Sequence, residues 1–385
     1  MQLFILYVAV WFLPLTSGIW YISDINVELS DLATNYMFGL IVIMGFISVL
    51  FSIISNNKPP KSVIIARFSE SKSIKFHKNC LKIWFFIFVV EIVSSGGAPI
   101  IWGTEKNYGD FGIPVIHGFS NMLRAMIFSH LILFSCLNFK LSKQLIIFSL
   151  LPLISSLVIE QSRGAFVMTI CFALGPMLIF SKFSLKKIFK FLIVLPLIVI
   201  VLSVYQFLRH AESSINELFI ILEFVVDSGT AYEKLLLPVA NYIATPALNA
   251  GLTIDTMPLI NFELNQSIKG LIPSPIRALI SDSEQEDYGI LVSEAFNTST
   301  FITPFVKDFG IFGSVIFFTV FFLVCTYVYQ KAKYGSVLNI VILPPLVMCL
   351  TLSFFTSYVT SLITIIYILV GIPVSKKLKY LPKIK

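Results

Sequence analysis

Charge is scarce in this chain: Asp, Glu, Lys and Arg make up 13% of its residues, about half the ~25% of soluble domains. Arginine is scarcer still, with five among 28 basic residues, and there are four histidines. The five cysteines (Cys80, Cys136, Cys171, Cys325, Cys349) show no CxxC spacing and lie in or beside apolar runs. That excludes a zinc ribbon or a disulfide framework and marks them as small buried hydrophobes. No His and Cys cluster has metal-ligand spacing, no Walker loop is present, and no basic patch is interleaved with aromatics. Metal, cofactor, nucleotide and nucleic acid are therefore not expected as partners. Internal repeats and low-complexity tracts are absent as well.

What the chain has in abundance is hydrophobicity, at 57% of residues and a mean hydropathy of +0.89. The composition predicts an all-α polytopic membrane protein forming one integral domain over 1–385. Apolar runs of membrane-spanning length are placed near 2–20, 35–54, 82–96, 119–138, 144–160, 164–181, 190–208 and 310–329. A ninth run, 337–374, is too long for one helix and is split near Thr356 to Thr360, giving about ten spans. The first run lacks a basic flank and a small-residue cleavage pattern, and is expected to be a retained helix.

Lysine sets the orientation, because Lys and Arg are retained on the cytoplasmic side. With the N-terminus inside, 20 of 28 basic residues fall inside, whereas Glu70 is the only one of 21 acidic residues that does. Both termini are expected in the cytoplasm, in a bacterial inner membrane.

The exception to the hydrophobic pattern is the stretch 209–309, polar, acid-bearing and punctuated by proline. It is expected to be a large periplasmic loop carrying short amphipathic helices at the interface, at 215–226 and 232–243. Working residues concentrate on such loops. Its acid run, Asp282, Glu284, Glu286 and Asp287, reads as a solvated face and not as a cation site.

Four of the five arginines, Arg124, Arg163, Arg209 and Arg277, fall on the outer side, against the direction that the topology favours. A guanidinium there suits a phosphate clamp, since its planar fork binds phosphate oxygens bidentately and stays charged when desolvated. The competing explanation is a local ion pair, as Arg163 could make with Glu160. Around these arginines lie three outer constellations. Ser94 to Trp102 continues through Glu105, Tyr108, Asp110 and His117 to Arg124, with aromatics that can stack on sugar faces. Glu160-Gln-Ser-Arg163-Gly164 places Arg163 at a helix N-terminus, which favours anions. Arg209-His210 and the stretch from Ser293 through Glu294, Asn297 and Lys307 to Gly310 flank the long loop. His210 or Glu294 could take a proton from a sugar hydroxyl, and either could equally be structural.

The patterns GGAP…YGDFGIPVIHG, the outward SRG turn and FNTSTFITPFVKDFGIFG before a late span resemble the Wzy family of bacterial O-antigen polymerases. The resemblance covers most of the chain. The arginine-to-glycine intervals, Arg163 to Gly175 and Arg277 to Gly289, hold eleven intervening residues, one more than in some members. It implies an inner-membrane enzyme that joins undecaprenyl-pyrophosphate-linked oligosaccharide repeat units on the periplasmic side, with membrane lipid and a chain-length regulator as further partners.

On this reading the reaction is a metal-independent glycosyl transfer. Arg163 and Arg277, helped by Arg209 and Arg124, stabilise the leaving diphosphate, and His210 or Glu294 is the base. His117, Tyr108, Asp110, Asn297 and Lys307 complete the substrate-binding set. Two alternatives remain: a flippase or transporter of the same lipid-linked sugars, which would carry ionisable residues at mid-bilayer, and the ligase that moves finished polymer onto lipid A core.

Overall fold

The computed structural model describes residues 2–21, 29–54, 67–102, 110–180, 231–263, 265–269, 271–272, 276, 289–291 and 298–379. For Leu13, for 16–21, for Arg163 and for 231–243 it describes the backbone alone. Twelve helices are described, in the order α1 Gln2–Tyr21, α2 Asp31–Ile54, α3 Glu70–Ser94, α4 Pro99–Trp102, α5 Ile116–Cys136, α6 Lys143–Val158, α7 Arg163–Phe180, α8 Ala231–Thr256, α9 Gln266–Lys269, α10 Thr303–Lys333, α11 Val337–Thr351 and α12 Leu362–Leu378. Among the described residues there is no strand, and one antiparallel bridge joins Phe68 to Lys379.

Four stretches, Asp31–Ile54, Glu70–Trp102, Ile116–Cys136 and Thr303–Lys333, are long and apolar enough to cross a membrane, and shorter apolar helices lie among them. The protein is an all-α membrane protein. Its outward faces agree with a lipid surround: Val42, Phe46 and Ile53 on α2, Phe85, Phe86 and Val93 on α3, and Phe312, Ile316 and Val320 on α10 are exposed. The helix interiors are apolar on both sides of the seam because lipid tails and core alike exclude water, so burial alone cannot hold the helices together. Close approach does: at Gly175 of α7 an added Cβ would stand 2.8 Å from the Cα of Pro344 in α11.

Lysine-bearing termini gather at one end of the bundle. There Ser69 N–H donates to Leu378 O at 2.9 Å, Lys140 N–H donates to a Glu70 carboxylate oxygen at 2.7 Å, and Arg67 donates to the carbonyls of Tyr334 and Gly335, both at 2.9 Å. The arginine thereby satisfies carbonyls left open where α10 ends. Several helices start on serine: Ser142 accepts from Leu145 N–H at 3.2 Å and Ser361 from Thr364 N–H at 3.3 Å.

The long apolar run divides as expected, with α11 and α12 separated by non-helical residues 352–361. The expected span 82–96 starts earlier, at Glu70, because the polar first turns of α3 are helical too. The helix expected at 232–243 is present but longer: α8 runs unbroken for 26 residues and packs against α1, α2 and α10. Its small residues decide this, since Ala244, Ala247 and Ala250 are buried and at Gly251 a Cβ would lie 2.4 Å from Leu29 Cδ2. The segments 190–208 and 215–226 lie outside the described residues.

The span expected to begin at 310 does start there, after a break, and a short helix precedes it. Helix α10 begins at Thr303 and is interrupted at Gly310, with φ 69° and ψ −177°. Phe305, before the break, stacks on Phe317, after it, with centroids 4.0 Å apart. The chain before Gly310 thus folds back along the helix that follows, and Phe301 reaches Phe318 (4.5 Å), Tyr7 and Trp11. Phe318 lies eight residues past the break, about 12 Å along the helix at 1.5 Å per residue. The stretch 298–309 is a folded-back segment packed on the helix that follows.

Candidate functional site

Non-helical backbone at membrane depth is tolerated only where protein satisfies its polar groups, and such places are where membrane proteins bind and react. Here Asn249 Nδ2 donates to Thr298 O at 2.7 Å, Phe301 N–H to Ser353 O at 2.8 Å, and Trp11 Nε1 to Ser353 Oγ at 2.8 Å. The break at Gly310 receives the chain after α8: Ile311 N–H donates to Pro258 O at 3.2 Å and Phe312 N–H to Leu259 O at 2.8 Å. Only glycine fits there, because a Cβ would stand 2.7 Å from both Asn261 N and Pro258 O, at a left-handed φ.

Asp308 is buried beside this break and caps α9, accepting from Gln266 N–H at 2.8 Å, Ser267 N–H at 2.6 Å and Ser267 Oγ at 2.5 Å. Neighbouring Lys307 is half-buried, and its carbonyl accepts from Asn261 Nδ2 at 2.7 Å. Gly289, at φ 84°, sits against Thr253 of α8, whose hydroxyl accepts from Ile290 N–H at 3.1 Å.

A second set of polar groups stands where α3, α5, α6 and α7 meet, at the end away from the lysines. Glu91, in the last turn of α3, is fully buried, and its Oε1 lies 2.9 Å from Nδ1 of His117 in the first turn of α5. Two turns deeper on the same face of α5, at positions i+4 and i+7 from His117, Asn121 and Arg124 are buried. Arg124 Nη1 donates to Asn121 Oδ1 at 2.6 Å, and Nη2 is bonded to Glu160 in the turn between α6 and α7. That turn is tight, with Gln161 at φ 55° and Ser162 N–H donating to Ser156 O at 2.8 Å. The short helix α4 lies over it, through Ile100 N–H to Ile159 O at 3.1 Å.

Several atoms in this set are buried and unpartnered among the described residues: Glu91 Oε2, Arg124 Nε, Glu160 Oε2, Gln161 Oε1 and Ser120 Oγ. Natural cores rarely leave such atoms unpaired, and others of the kind, on Ser73, His77, His130, Thr326 and Tyr367 among them, are spread through the rest of the bundle.

The structure therefore treats the expected site residues unequally. Arg124, expected as an outer-side phosphate ligand, is fully buried and held by Glu160 and Asn121. Arg163 begins α7 in the turn beside that pair, as its sequence context predicts. His117 is half-exposed and paired with Glu91, and Asp110 is exposed in the same loop. Arg277, Glu294, His210, Arg209, Tyr108 and Asn297 lie outside the described residues. Sequence reasoning missed the partnerships Glu91 with His117 and Arg124 with Glu160, separated by 26 and 36 positions, and the capping role of Asp308. The available signal was the presence of Glu91 and Arg124 inside apolar helices, where an ionisable group demands a partner.

No group of three or more His, Cys, Asp or Glu is gathered as for a metal ion among the described residues. Compared with family models, with curated proteins and with solved structures, the chain matches none.

Proposed function

We propose that this chain is an inner-membrane glycosyltransferase that polymerises undecaprenyl-pyrophosphate-linked oligosaccharide repeat units at the end of the bundle away from its lysines, the periplasmic side. The observation that carries the reading is the meeting of two sequence-distant motifs there. The constellation running from Ser94 to Arg124 and the turn that leads into SRG come together through Ile100 with Ile159 and through Arg124 with Glu160. The described part of the third motif, FNTSTFITPFVKDFGIFG, folds back on the helix that follows the break at Gly310.

In this reaction the growing chain on one lipid pyrophosphate is the donor. A sugar hydroxyl of a new lipid-linked unit attacks its anomeric carbon, and lipid pyrophosphate leaves. Charge develops on that diphosphate, so Arg163 at the start of α7, with Arg277 and Arg209, stabilises it, each donor supplying on the order of 10²-fold in rate. Arg124, tied to Glu160, acts from a fixed position beneath the α6–α7 turn. A chain-length regulator is the expected protein partner.

A transporter of the same lipid-linked sugars is the second reading. It is favoured by one observation: Glu91, Arg124, His77 and His130 are all buried within helices, as ionisable groups along a transport path are. Deleting the gene and resolving the cell's lipopolysaccharide on a gel separates the two. Core carrying a single repeat unit is the outcome expected of a polymerase. A persistent ladder removes the proposal, and loss of every repeat unit transfers it to the transporter or the ligase.

A further inference from the structure

We infer that His117 is the proton acceptor of this site and that Glu91 is its positioning residue. The pair takes the hydroxyl proton of the incoming sugar. The identity of that hydroxyl rests on the glycosyl-transfer reading above; the pair itself rests on geometry.

Glu91 Oε1 and His117 Nδ1 are 2.9 Å apart, with side-chain exposures of 0% for the carboxylate and 27% for the imidazole. An ionised carboxylate only accepts, so Nδ1 donates to it, and in the neutral form of the ring that tautomer leaves the lone pair on Nε2. Among the described residues Nε2 has no partner. Phe111 meets the imidazole edge-on, with centroids 5.8 Å apart at 89°, and limits its rotation. This is the arrangement an oriented base needs: a buried carboxylate fixes the tautomer of a partly exposed imidazole, whose other nitrogen is left for a reactant.

The backbone is shaped to permit it. At Gly112, with φ 92°, a Cβ would stand 2.7 Å from His117 Nδ1 and 2.8 Å from Glu91 Oε1. Any side chain there would part the two groups. Gly112 N–H is anchored to Ser95 Oγ at 2.9 Å, which ties the loop to the end of α3. Val115, immediately before α5, is held at φ 71°, a conformation that a β-branched residue avoids. Strain of this kind persists only where the surroundings over-determine it, and it clusters at working sites.

A histidine with a purely structural role is commonly buried whole. His77 and His130 show that alternative within the same chain, since both are buried in the helices and His77 Nε2 is bonded to Ser149 Oγ at 2.7 Å. Of the described histidines only His117 reaches the surface.

In the step itself, Nε2 takes the proton of the acceptor hydroxyl as its oxygen forms the new bond to the donor's anomeric carbon. The bond from that carbon to the pyrophosphate oxygen breaks, and the lipid pyrophosphate leaves with the electron pair. The imidazolium then passes its proton to water, and no other reactant enters.

The test uses the purified full chain in lipid nanodiscs with lipid-linked repeat units isolated from cells lacking it. His117→Ala is expected to lower kcat by about 10²- to 10⁴-fold with KM near that of the parent, and added imidazole restores part of the loss. Glu91→Gln lowers kcat likewise, and Glu91→Asp recovers part of it. Full turnover by His117→Ala, or a loss that imidazole leaves untouched, overturns the assignment. A second measurement does not depend on the reaction: acylation by diethyl pyrocarbonate, followed site by site by mass spectrometry. His117 is expected to react faster than His77 and His130, and more slowly in Glu91→Gln than in the parent. Equal His117 rates in those two proteins overturn the pair. If the pair passes while the lipopolysaccharide ladder survives gene deletion, the glycosyl-transfer reading alone has failed.

Discussion

Arg124 and Glu160 form an ion pair sealed inside the helix bundle, with side-chain exposures of 0% and 2%. One belongs to the middle of α5 and the other to the turn that starts α7. The pair therefore fixes the height of that turn, and of Arg163 within it, against α5. Its desolvation is costly, so its value lies in placement more than in net stability.

Removing one partner should expose that cost. Arg124→Met leaves Glu160 buried and uncompensated, and the expected loss is about 3–5 kcal/mol. Arg124→Met with Glu160→Leu should recover most of the stability but not the polymerising activity. Thermal unfolding in detergent measures the first and ladder length the second. A double variant as unstable as the single one contradicts the pairing.

At Gly310 the left-handed backbone and the contact with Pro258 and Asn261 leave no room for a side chain. Gly310→Ala is expected to cost about 1–3 kcal/mol from the backbone alone and to release the 258–263 stretch from α10. Asp308→Ala should act on the same stretch, leaving the α9 donors without their acceptor, at on the order of 1–3 kcal/mol for each buried group. Limited proteolysis between α8 and α10 reads both. Cleavage no faster than in the parent would show that the docking does not depend on these residues.

The gathering of lysines at one end sets the orientation to be tested. A cysteine replacing Asp287 should react with an impermeant thiol reagent applied from outside, and one replacing Lys72 should not. The reverse pattern inverts every sidedness assigned above.

Arg163→Lys and Arg277→Lys keep the charge and remove the planar fork. An arginine that only balances a carboxylate at the surface contributes about 0–1 kcal/mol and tolerates the exchange. A diphosphate clamp does not. Normal protein levels with shortened or absent ladders are expected for both variants, and full-length ladders would take these two arginines out of the site.

Much of this protein is legible in its sequence because a membrane enforces simple rules. Apolar length marks the helices, lysine marks one end, and the division of 337–374 follows from the length one helix can have. Composition could not show that the 209–309 stretch supplies a packed helix, because Glu233, Lys234 and Pro238 mask a spacing of alanines whose value depends on the neighbouring Leu29. Nor could it tell which carboxylate answers Arg124. In sequence Glu160 stands three residues from Arg163 and 36 from Arg124, yet packing of α5 against the α6–α7 hairpin brings the distant pair together. The same holds for Glu91 and His117, which a glycine-rich loop folds into contact. The chain alone determined which residues are charged within an apolar surround. The tertiary structure decided their partners, because a buried charge is satisfied by whatever group the packing of separate helices delivers to it.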